Sequence, residues 1–387
     1  MEKRRPLKSA KKNEEHFFDY TLLFIILFLL GFGLVMLYST SSYEAALDFK
    51  GDGAYYLKKQ GFATALGLVV MVVVTRIPYH FWERFAELGY LVSVIMILLV
   101  KTPLGITAGG ATRWINVFGL SLQPAEVAKL CMILFLAKMI CKLGKSVSNF
   151  KAFLLILAVP VPICLLVWLV TNNMSSAIII MGIAICMLFV ASPEYKKFIF
   201  GGLSLATVGA AAVYFISHQA GDSMSFRGKR ILAWLDPEAY ASGTGFQTLQ
   251  ALYAIGSGGI FGKGLGESMQ KLGFLPEAQN DMIFSIICEE LGLFGAIAII
   301  LLFVLLIWRC VVIANNSPDL FGALLVVGVL GHLGIQVILN IAVVTNSMPN
   351  TGITLPFISY GGSSILFLLT EVGLVLSVSR GIRLKEM

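Results

Sequence analysis

The sequence predicts an all-α integral membrane protein of about ten transmembrane helices, with a long extracytoplasmic loop between the seventh and the eighth. Hydrophobic residues make up 57% of the chain and charged residues only 13%, whereas a soluble domain usually carries about 25% charged residues. Apolar segments of about 20 residues, the length that crosses about 30 Å of hydrocarbon, also recur from one end to the other.

The positive charges indicate how these helices are oriented. Lys and Arg favour the cytoplasmic side of a membrane, and the first twelve residues, MEKRRPLKSAKK, carry six of them. An even number of spans returns the C-terminus, with Arg380, Arg383 and Lys385, to the same side. The net charge of +7 is spread over tails and short connections, so nucleic acid is not expected as a partner. The predicted spans are 18–40, 58–75, 84–101, 122–141, 151–170, 175–192, 197–217, 282–308, 319–345 and 362–380.

The same pattern divides the chain into three parts. Residues 1–17 form a basic cytoplasmic tail, 18–380 a single transmembrane domain, and 381–387 a cytoplasmic C-terminal tail. Within the domain, the extracytoplasmic loop 218–281 is by far the longest connection. Loops of that length inside a compact protein are usually functional.

The long loop contains a glycine-rich stretch at 255–267 that carries Lys263 in its middle. A phosphate-binding P-loop requires G-x-x-x-x-G-K-[ST], and here Gly264 follows the lysine, so nucleotide binding is excluded. The stretch remains suited to tight turns or to the close approach of an anionic group. The pattern alone favours turns.

Several ionisable residues fall within the predicted spans, where they usually face a bundle interior or a wet cavity. Glu126 and Lys129 are three residues apart on one helix face; they form either a self-neutralising ion pair or one that lines an outward-opening polar cavity. Glu289 and Glu290 point about 100° apart, so at most one is expected to share a face with Asp281. Two further candidates, His332 and Glu371, are isolated in the sequence, and packing is the favoured role of the histidine.

Asp281 stands where the long loop re-enters the membrane. A carboxylate there can cap the free N–H groups of the following helix, and the residues alone favour this role. At a wet–dry boundary the same carboxylate can also act as a general base.

Seven strings in order, spread from the first span to the last, resemble the SEDS family of bacterial cell-wall proteins, the group of FtsW, RodA and SpoVE. The resemblance is strongest to the FtsW/SpoVE branch. The strings are FDYTLL, GLVMLYSTSS, GATRWI with QPAEVAK, RILAWLDP, GTGFQTLQALYAIGSGGIFGKGLGES, LPEAQNDMIF with EELG, and PNTGITLPFISYGGSS.

This resemblance implies a ten-span peptidoglycan glycosyltransferase at the outer face of the bacterial cytoplasmic (inner) membrane. It would polymerise lipid II into glycan strands during division or related septal wall synthesis. The implied partners are lipid II, the growing glycan strand, a class B penicillin-binding protein that acts as transpeptidase, and other divisome-type membrane proteins. The family's essential aspartate matches Asp281.

On this basis Asp281 is the hypothesised general base of an inverting transfer, in which one carboxylate suffices. Glu126 would position Lys129 or help to hold a divalent cation, Mg or Mn; no cofactor is otherwise implied. Four cations are candidates to stabilise the departing pyrophosphate: Arg113, Lys129, Arg230 and Lys263. Four further residues are candidates to line the substrate groove: Glu277, Gln279, Ser359 and Gly361.

Two departures from the family pattern are visible. The chain has NNMSS from Asn172 where the family usually has Pro-Asp-Leu-Gly-Thr, and Asn280 where a threonine commonly precedes the aspartate. Two other functions compete with the enzyme: a lipid II flippase, and a non-catalytic scaffold for a penicillin-binding protein. The motifs are dense on the outer side and not at the midplane, where transporter sites usually lie, and this favours the enzyme.

Overall fold

The computed structural model describes residues 17–108, 110–117, 120–218 and 226–383. A helix lies at each predicted span, and the span at 151–170 consists of two helices that meet at Pro160. The helices are α1 (Tyr20–Asp48), α2 (Tyr55–Arg76), α3 (His80–Glu83), α4 (Ala86–Leu99), α5 (Pro124–Leu143), α6 (Phe150–Ala158), α7 (Val161–Thr171), α8 (Met174–Ala191), α9 (Tyr195–His218), α10 (Phe226–Leu235), α11 (Phe246–Gly258), α12 (Ile283–Asn315), α13 (Leu320–Val344) and α14 (Gly362–Gly381), with a 3₁₀ helix at Gly144–Ser148.

Eight helical segments of the described residues are long and apolar enough to cross a membrane, α6 and α7 counting as one. The chain is therefore a multi-pass membrane protein. At the predicted third span, α4 has only 14 residues. At the predicted fourth, α5 has 20 residues but carries Glu126, Lys129, Lys138 and Lys142. Ten spans remain a prediction for this reason.

Helix α13 lies at the centre of the bundle, packed against α5, α8, α12 and α14. Helix α14 packs closely along α2 because glycines stand at their contact. A Cβ added to Gly373 would lie 2.9 Å from the carbonyl oxygen of Met71, and one added to Gly67 would lie 2.6 Å from Leu369. Small residues of this kind let helix backbones approach each other within a membrane.

The connections gather at two ends of the bundle. At one, which we call the tail end, the N–H of Phe17 donates to the carbonyl of Ile382 at 3.1 Å, so both described termini meet. The short connections at 77–85, 144–149, 192–194 and 316–319 lie at this end. At the other, which we call the site end, lie the described parts of the remaining connections: 49–54, 100–108, 110–117, 120–123, 172–173, 226–282 and 345–361.

The connections at the site end hold more regular structure than the sequence predicts. Between the predicted spans 84–101 and 122–141 the structure has an antiparallel three-stranded sheet, β1 (Gly105–Ala108), β2 (Ala111–Val117) and β3 (Leu120–Leu122), in the order β1-β2-β3. The β-branched and aromatic residues of β2 favour a strand, but strands this short give a weak signal beside the apolar spans. The predicted loop 218–281 contains α10 and α11.

The predicted continuous span at 282–308 is interrupted. Within α12 the backbone at Gly292 is non-helical, with φ 66° and ψ −166°. The glycine-rich stretch supplies the missing partners, because the N–H groups of Leu293 and Phe294 donate to the carbonyls of Gly259 and Ile260 at 2.9 and 3.1 Å. Four glycines of the stretch have positive φ: Gly259, Gly262, Gly264 and Gly266. This agrees with the turn interpretation.

Candidate active site

Asp281 lies at the site end, directly before α12. The residue that caps α12 is Met282, and no side chain makes a capping hydrogen bond there. The cap favoured by the residues alone is therefore wrong, because the helix begins one residue later than that role requires. Asp281 is only 7% exposed, and its Oδ1 has no hydrogen-bond partner among the described residues. A buried carboxylate oxygen is thus left to accept a proton or a hydrogen bond.

The surroundings of Asp281 raise its pKa from the ordinary value to about 7. Burial is the main cause, since it disfavours the charged form, and the negative charge of Glu277 adds to it. The positive charge of Arg230 acts in the opposite direction. A carboxyl group with a pKa near neutrality is matched to general-base catalysis.

Arg230 lies near this acid, and Arg113, from a distant part of the chain, lies near Arg230. Arg230 in α10 donates from Nη1 to the carbonyl of Asn350 at 3.0 Å, and Arg113 in β2 donates from Nη2 to the carbonyl of Asn172 at 3.4 Å. Burial lowers the pKa of both; the charge of Arg113 lowers that of Arg230 further, and the charge of Asp281 raises it. The structure thus assembles one acid and two guanidinium groups.

The departure at Asn172 is accommodated by local structure. Asn172 has φ 50° at the end of α7, a left-handed conformation that asparagine tolerates better than most residues. Asn173 then caps α8, because its Oδ1 accepts the N–H of Ser176 at 3.0 Å. The turn is kept without the family's usual acidic residue, and its carbonyl holds Arg113.

Glu277 and Gln279 precede Asp281 in the same connection. Glu277 has φ 57°, and its carboxylate accepts a hydrogen bond from the side chain of Asn280. Gln279 is 3% exposed, and its carbonyl accepts the N–H of Tyr360 at 2.9 Å. Its side chain bonds to Glu44 of α1, a residue that the sequence did not single out. Gln279 therefore joins three segments of the site end.

Ser359 and Gly361 have structural partners. The Oγ of Ser359 accepts the N–H of Leu355 at 2.8 Å. Gln60 of α2 holds both ends of the turn, since its Nε2 donates to the carbonyl of Ser359 at 3.4 Å and its Oε1 accepts the N–H of Gly361 at 3.1 Å. The structure fixes this turn against α2, and a substrate contact there stays a prediction.

Glu126 and Lys129 form the predicted ion pair, with Nζ and Oε1 2.8 Å apart and both residues buried. Ser364, in the first turn of α14, donates to the other carboxylate oxygen at 3.4 Å. Within the described residues, no three His, Cys, Asp or Glu side chains lie close enough together to hold a metal ion. The carboxylate of Glu126 is engaged by Lys129 and Ser364, which does not fit a metal-ligand role.

Replacing Lys129 by methionine should leave the carboxylate of Glu126 buried without its cation. Breaking one partner of a buried pair costs about 3–5 kcal/mol, so the melting temperature should fall sharply. The double variant Glu126→Gln/Lys129→Met should recover it. If the double variant is stable but inactive, the charges serve the substrate and the structural interpretation is wrong.

Lys263 is likewise engaged. Its Nζ lies 2.6 Å from Oε1 of Glu289. The Oγ of Ser268 donates to the other oxygen of this carboxylate, Oε2, at 2.5 Å. The neighbouring Glu290 pairs with Lys271 at 2.8 Å and accepts from Ser39 of α1. Glu289 and Glu290, pointing in different directions, thus bind two lysines of the same connection and fix it beside the break at Gly292.

His332 and Glu371, isolated in the sequence, form a pair in the structure. Nδ1 of His332 lies 2.7 Å from Oε2 of Glu371, and both side chains are fully buried. Polar residues recur on α13 at His332, Gln336 and Asn340, spaced four apart and therefore on one face. Among the described residues, buried polar atoms without a hydrogen-bond partner are concentrated here and at the acid: Gln279 Oε1, Asp281 Oδ1, His332 Nε2, Gln336 Oε1, Asn340 Oδ1, Thr351 Oγ1 and Glu371 Oε1.

The fold and site define a multi-pass membrane protein with a buried acid and two arginines at one end of its helix bundle. This chain belongs to the FtsW/RodA/SpoVE family of cell cycle proteins, whose family model matches residues 20–384. The resemblance noted in the sequence is thereby confirmed.

Relatives of known name support the same placement. Stage V sporulation protein E of Bacillus subtilis is 39% identical over 376 residues, which cover 94% of this chain and 97% of the relative. The protein named "Probable peptidoglycan glycosyltransferase FtsW" of Trichlorobacter lovleyi is 40% identical over 382 residues, 98% and 96% of the two chains.

Solved structures share the fold. A chain from a peptidoglycan synthase complex, in which polymerization and crosslinking are coordinated, matches with a TM-score of 0.77 and 27% identity over 94% of this chain and 98% of that one. The rod shape determining protein RodA of Thermus thermophilus matches with a TM-score of 0.68 and 26% identity, over 95% and 98% of the chains.

Proposed function

We propose that this protein is a peptidoglycan glycosyltransferase that polymerises lipid II into glycan strands, with Asp281 as the general base. The observation that carries the proposal is the buried carboxylate of Asp281. One of its oxygens has no hydrogen-bond partner in the described part of the chain, and its pKa is raised to about 7. The activity named for the FtsW relatives, together with membership of the family, supports the substrate class.

The reaction is a direct displacement at the anomeric carbon of a lipid-linked muramyl sugar. The C4 hydroxyl oxygen of an acceptor N-acetylglucosamine forms the new bond to this carbon as its proton passes to the carboxylate of Asp281. The bond from the same carbon to the pyrophosphate oxygen breaks, and the lipid pyrophosphate leaves with the electron pair. A single displacement inverts the anomeric configuration.

Arg230 and Arg113 are the cations best placed to stabilise the departing pyrophosphate. Arg230 interacts with the charges of Asp281 and Arg113, which supports a place for both guanidinium groups beside the acid. Guanidinium groups bind phosphate oxygens in bidentate geometry. Lys129 and Lys263 are held in ion pairs with Glu126 and Glu289. We therefore assign them a structural role near the site and no contact with the pyrophosphate. A divalent cation, if the reaction uses one, would then be bound by the pyrophosphate of the substrate and not by the carboxylate of Glu126.

The site end is proposed to face outward from the bacterial cytoplasmic membrane. The described termini meet at the opposite end, which supports two termini on one side, and the basic residues of the N-terminal tail favour the cytoplasm for that side. Residues 18–380 would then form a single membrane domain between the cytoplasmic tails 1–17 and 381–387.

A class B penicillin-binding protein is the proposed partner, with other divisome-type membrane proteins around the pair. Support comes from the structural neighbour, a peptidoglycan synthase complex that coordinates polymerization with crosslinking. The similarity to FtsW and stage V sporulation relatives supports a role in division or related septal wall synthesis.

Two assays on the same preparations test this function. The full-length protein and Asp281→Asn are purified with a transpeptidase-dead partner and given labelled lipid II, and glycan polymers are resolved by gel. The same proteins in vesicles are assayed for movement of lipid II between leaflets. We expect polymerisation by the wild type and a rate at least about 100-fold lower in Asp281→Asn. Full polymerisation by Asp281→Asn would contradict the base assignment.

The same assays decide between the competing functions. Movement of lipid II between leaflets without polymerisation by either form would establish the flippase. Neither activity, with binding to the penicillin-binding protein retained, would establish the scaffold.

A further inference from the structure

Asn340 is a buried amide that holds two carbonyl groups from separate parts of the chain. It lies near the end of α13 and is fully buried. Its Nδ2 donates to the carbonyl oxygens of Asp281 and Ile353, both at 2.7 Å. Both accepting residues lie outside helices and strands, so this side chain fixes backbone that regular secondary structure does not fix.

We propose that Asn340 is the positioning residue of Asp281: it fixes the acid's backbone against the segment 349–354, which in turn holds Arg230. This inference rests on the proposed function. It assigns Asn340 no contact with substrate, because its effect is exerted through Asp281.

The segment 349–354 packs against the carboxylate of Asp281. A Cβ added to Gly352 would lie 3.8 Å from Oδ2 of Asp281, so the carboxylate lies over the backbone of this glycine. Asn350, two residues earlier, accepts the hydrogen bond of Arg230 through its carbonyl. Because Asn340 binds the carbonyls of both Asp281 and Ile353, it connects the acid and the segment 349–354 to α13. Arg230 is connected through the same segment.

The chemistry of the position favours an amide. Asparagine and glutamine carry two hydrogens on one neutral planar nitrogen, and both hydrogens of Asn340 are used on the two carbonyls. Leucine has a similar size but no donor, and it would leave both carbonyl oxygens without this partner. Asparagine is the shorter amide, and a glutamine here would carry an extra methylene into a fully buried space.

Gln336 provides a matched comparison one turn away on the same face. It is 3% exposed, and its Nε2 donates to the carbonyl of Thr354 at 3.0 Å and to its hydroxyl at 3.3 Å. Gln336 thus also binds the segment 349–354, but no hydrogen bond joins it to Asp281. A purely structural role predicts the same behaviour for both amides.

The test compares Asn340→Leu and Gln336→Leu in the full-length protein with its partner, measuring melting temperature and the pH profile of kcat for lipid II polymerisation. We expect Asn340→Leu to lower kcat about 100-fold, since a displacement of 1 Å can cost this much. Its pH midpoint should move downward, because the released acid would reach water. The charges that act on Asp281 are those of Glu277, from its own connection, and Arg230, from α10. Arg113 lies near Arg230. Neither variant alters any of these three residues.

Gln336→Leu should lower the melting temperature about as much as Asn340→Leu does. It should nevertheless keep the wild-type midpoint of the pH profile and most of the activity. Two variants that lose activity in proportion to stability, both with the wild-type midpoint, would overturn the proposal. If Asn340→Leu does not fold, Asn340→Ser keeps one donor and should show the same downward shift; an unchanged midpoint overturns the proposal there too. Activity retained by Asp281→Asn would instead contradict the proposed function, and the two failures are therefore distinguishable.

Discussion

Glycan polymerisation is expected to fall by about 10²–10⁴-fold in Asp281→Asn, the range that general-base catalysis contributes. In the wild-type protein the active form is the ionised carboxylate. Because the pKa of Asp281 is raised to about 7, the rate should be near its maximum above that pH. Below it the rate should fall about tenfold per pH unit, as the fraction of free carboxylate falls. Polymerisation of labelled lipid II between pH 5 and pH 9 measures this.

Two charge variants should move the midpoint of that profile in opposite directions. The positive charge of Arg230 lowers the pKa of Asp281, so Arg230→Met should raise the midpoint as well as reduce the maximal rate. The negative charge of Glu277 raises the pKa, so Glu277→Gln should lower the midpoint. Glu194→Gln serves as the control, because this residue pairs with Lys197 at the tail end. If neither Arg230→Met nor Glu277→Gln moves the midpoint of the pH profile, a group other than Asp281 is titrating.

The helices were predictable from the sequence because each span carries its own signal. A run of about 20 apolar residues is sufficient to indicate a helix, whatever it packs against. The sheet β1–β3 and the break at Gly292 depend instead on contacts between distant segments. Gly292 breaks its helix where the stretch from Gly259 packs against it, and a single sequence records no such contact.

The candidate site divides in the same way. Asp281 is predictable from its position at the end of a span and from the family motif, and Arg230 from its motif. Their proximity appears only in the fold. The sequence also carries a signal for Asn340: with His332 and Gln336 it makes a polar stripe at helical spacing within an apolar span. Polar residues in membrane helices usually face a bundle interior, so the spacing alone could have indicated this face.

The lysines of the long connection are held in ion pairs with buried carboxylates, whereas Arg113 and Arg230 bind backbone carbonyls. Lys263 and Lys271 lie on a connection that crosses the two buried carboxylates Glu289 and Glu290. A buried carboxylate without a cation is costly, so these lysines are needed where they are. The sequence showed four cations near the motifs but not which carboxylates they neutralise.

Gly258→Ala should give a large loss of stability for a change that adds a single methyl group. Gly258 is the last residue of α11, and an added Cβ would overlap the carbonyl oxygen of Cys288 and approach Cα of Glu289 to 3.0 Å. Both obstacles are backbone atoms, so no side chain can rotate away and the two helices must separate. Overpacking of this kind costs about 1–3 kcal/mol or more. The first turns of α12 would shift with it, and polymerisation should fall as Asp281 is displaced.

Gly256→Ala is the matched control, because it adds the same methyl group to the same helix two residues earlier. No atom lies within 4 Å of its added Cβ, and alanine is favoured over glycine inside a helix by about 0.5–1 kcal/mol. Its melting temperature should equal or exceed that of the wild type, with full activity. Melting curves and lipid II polymerisation on the two variants separate the effects. Equal behaviour of Gly256→Ala and Gly258→Ala would mean that the close contact between α11 and α12 does not hold the acid in place.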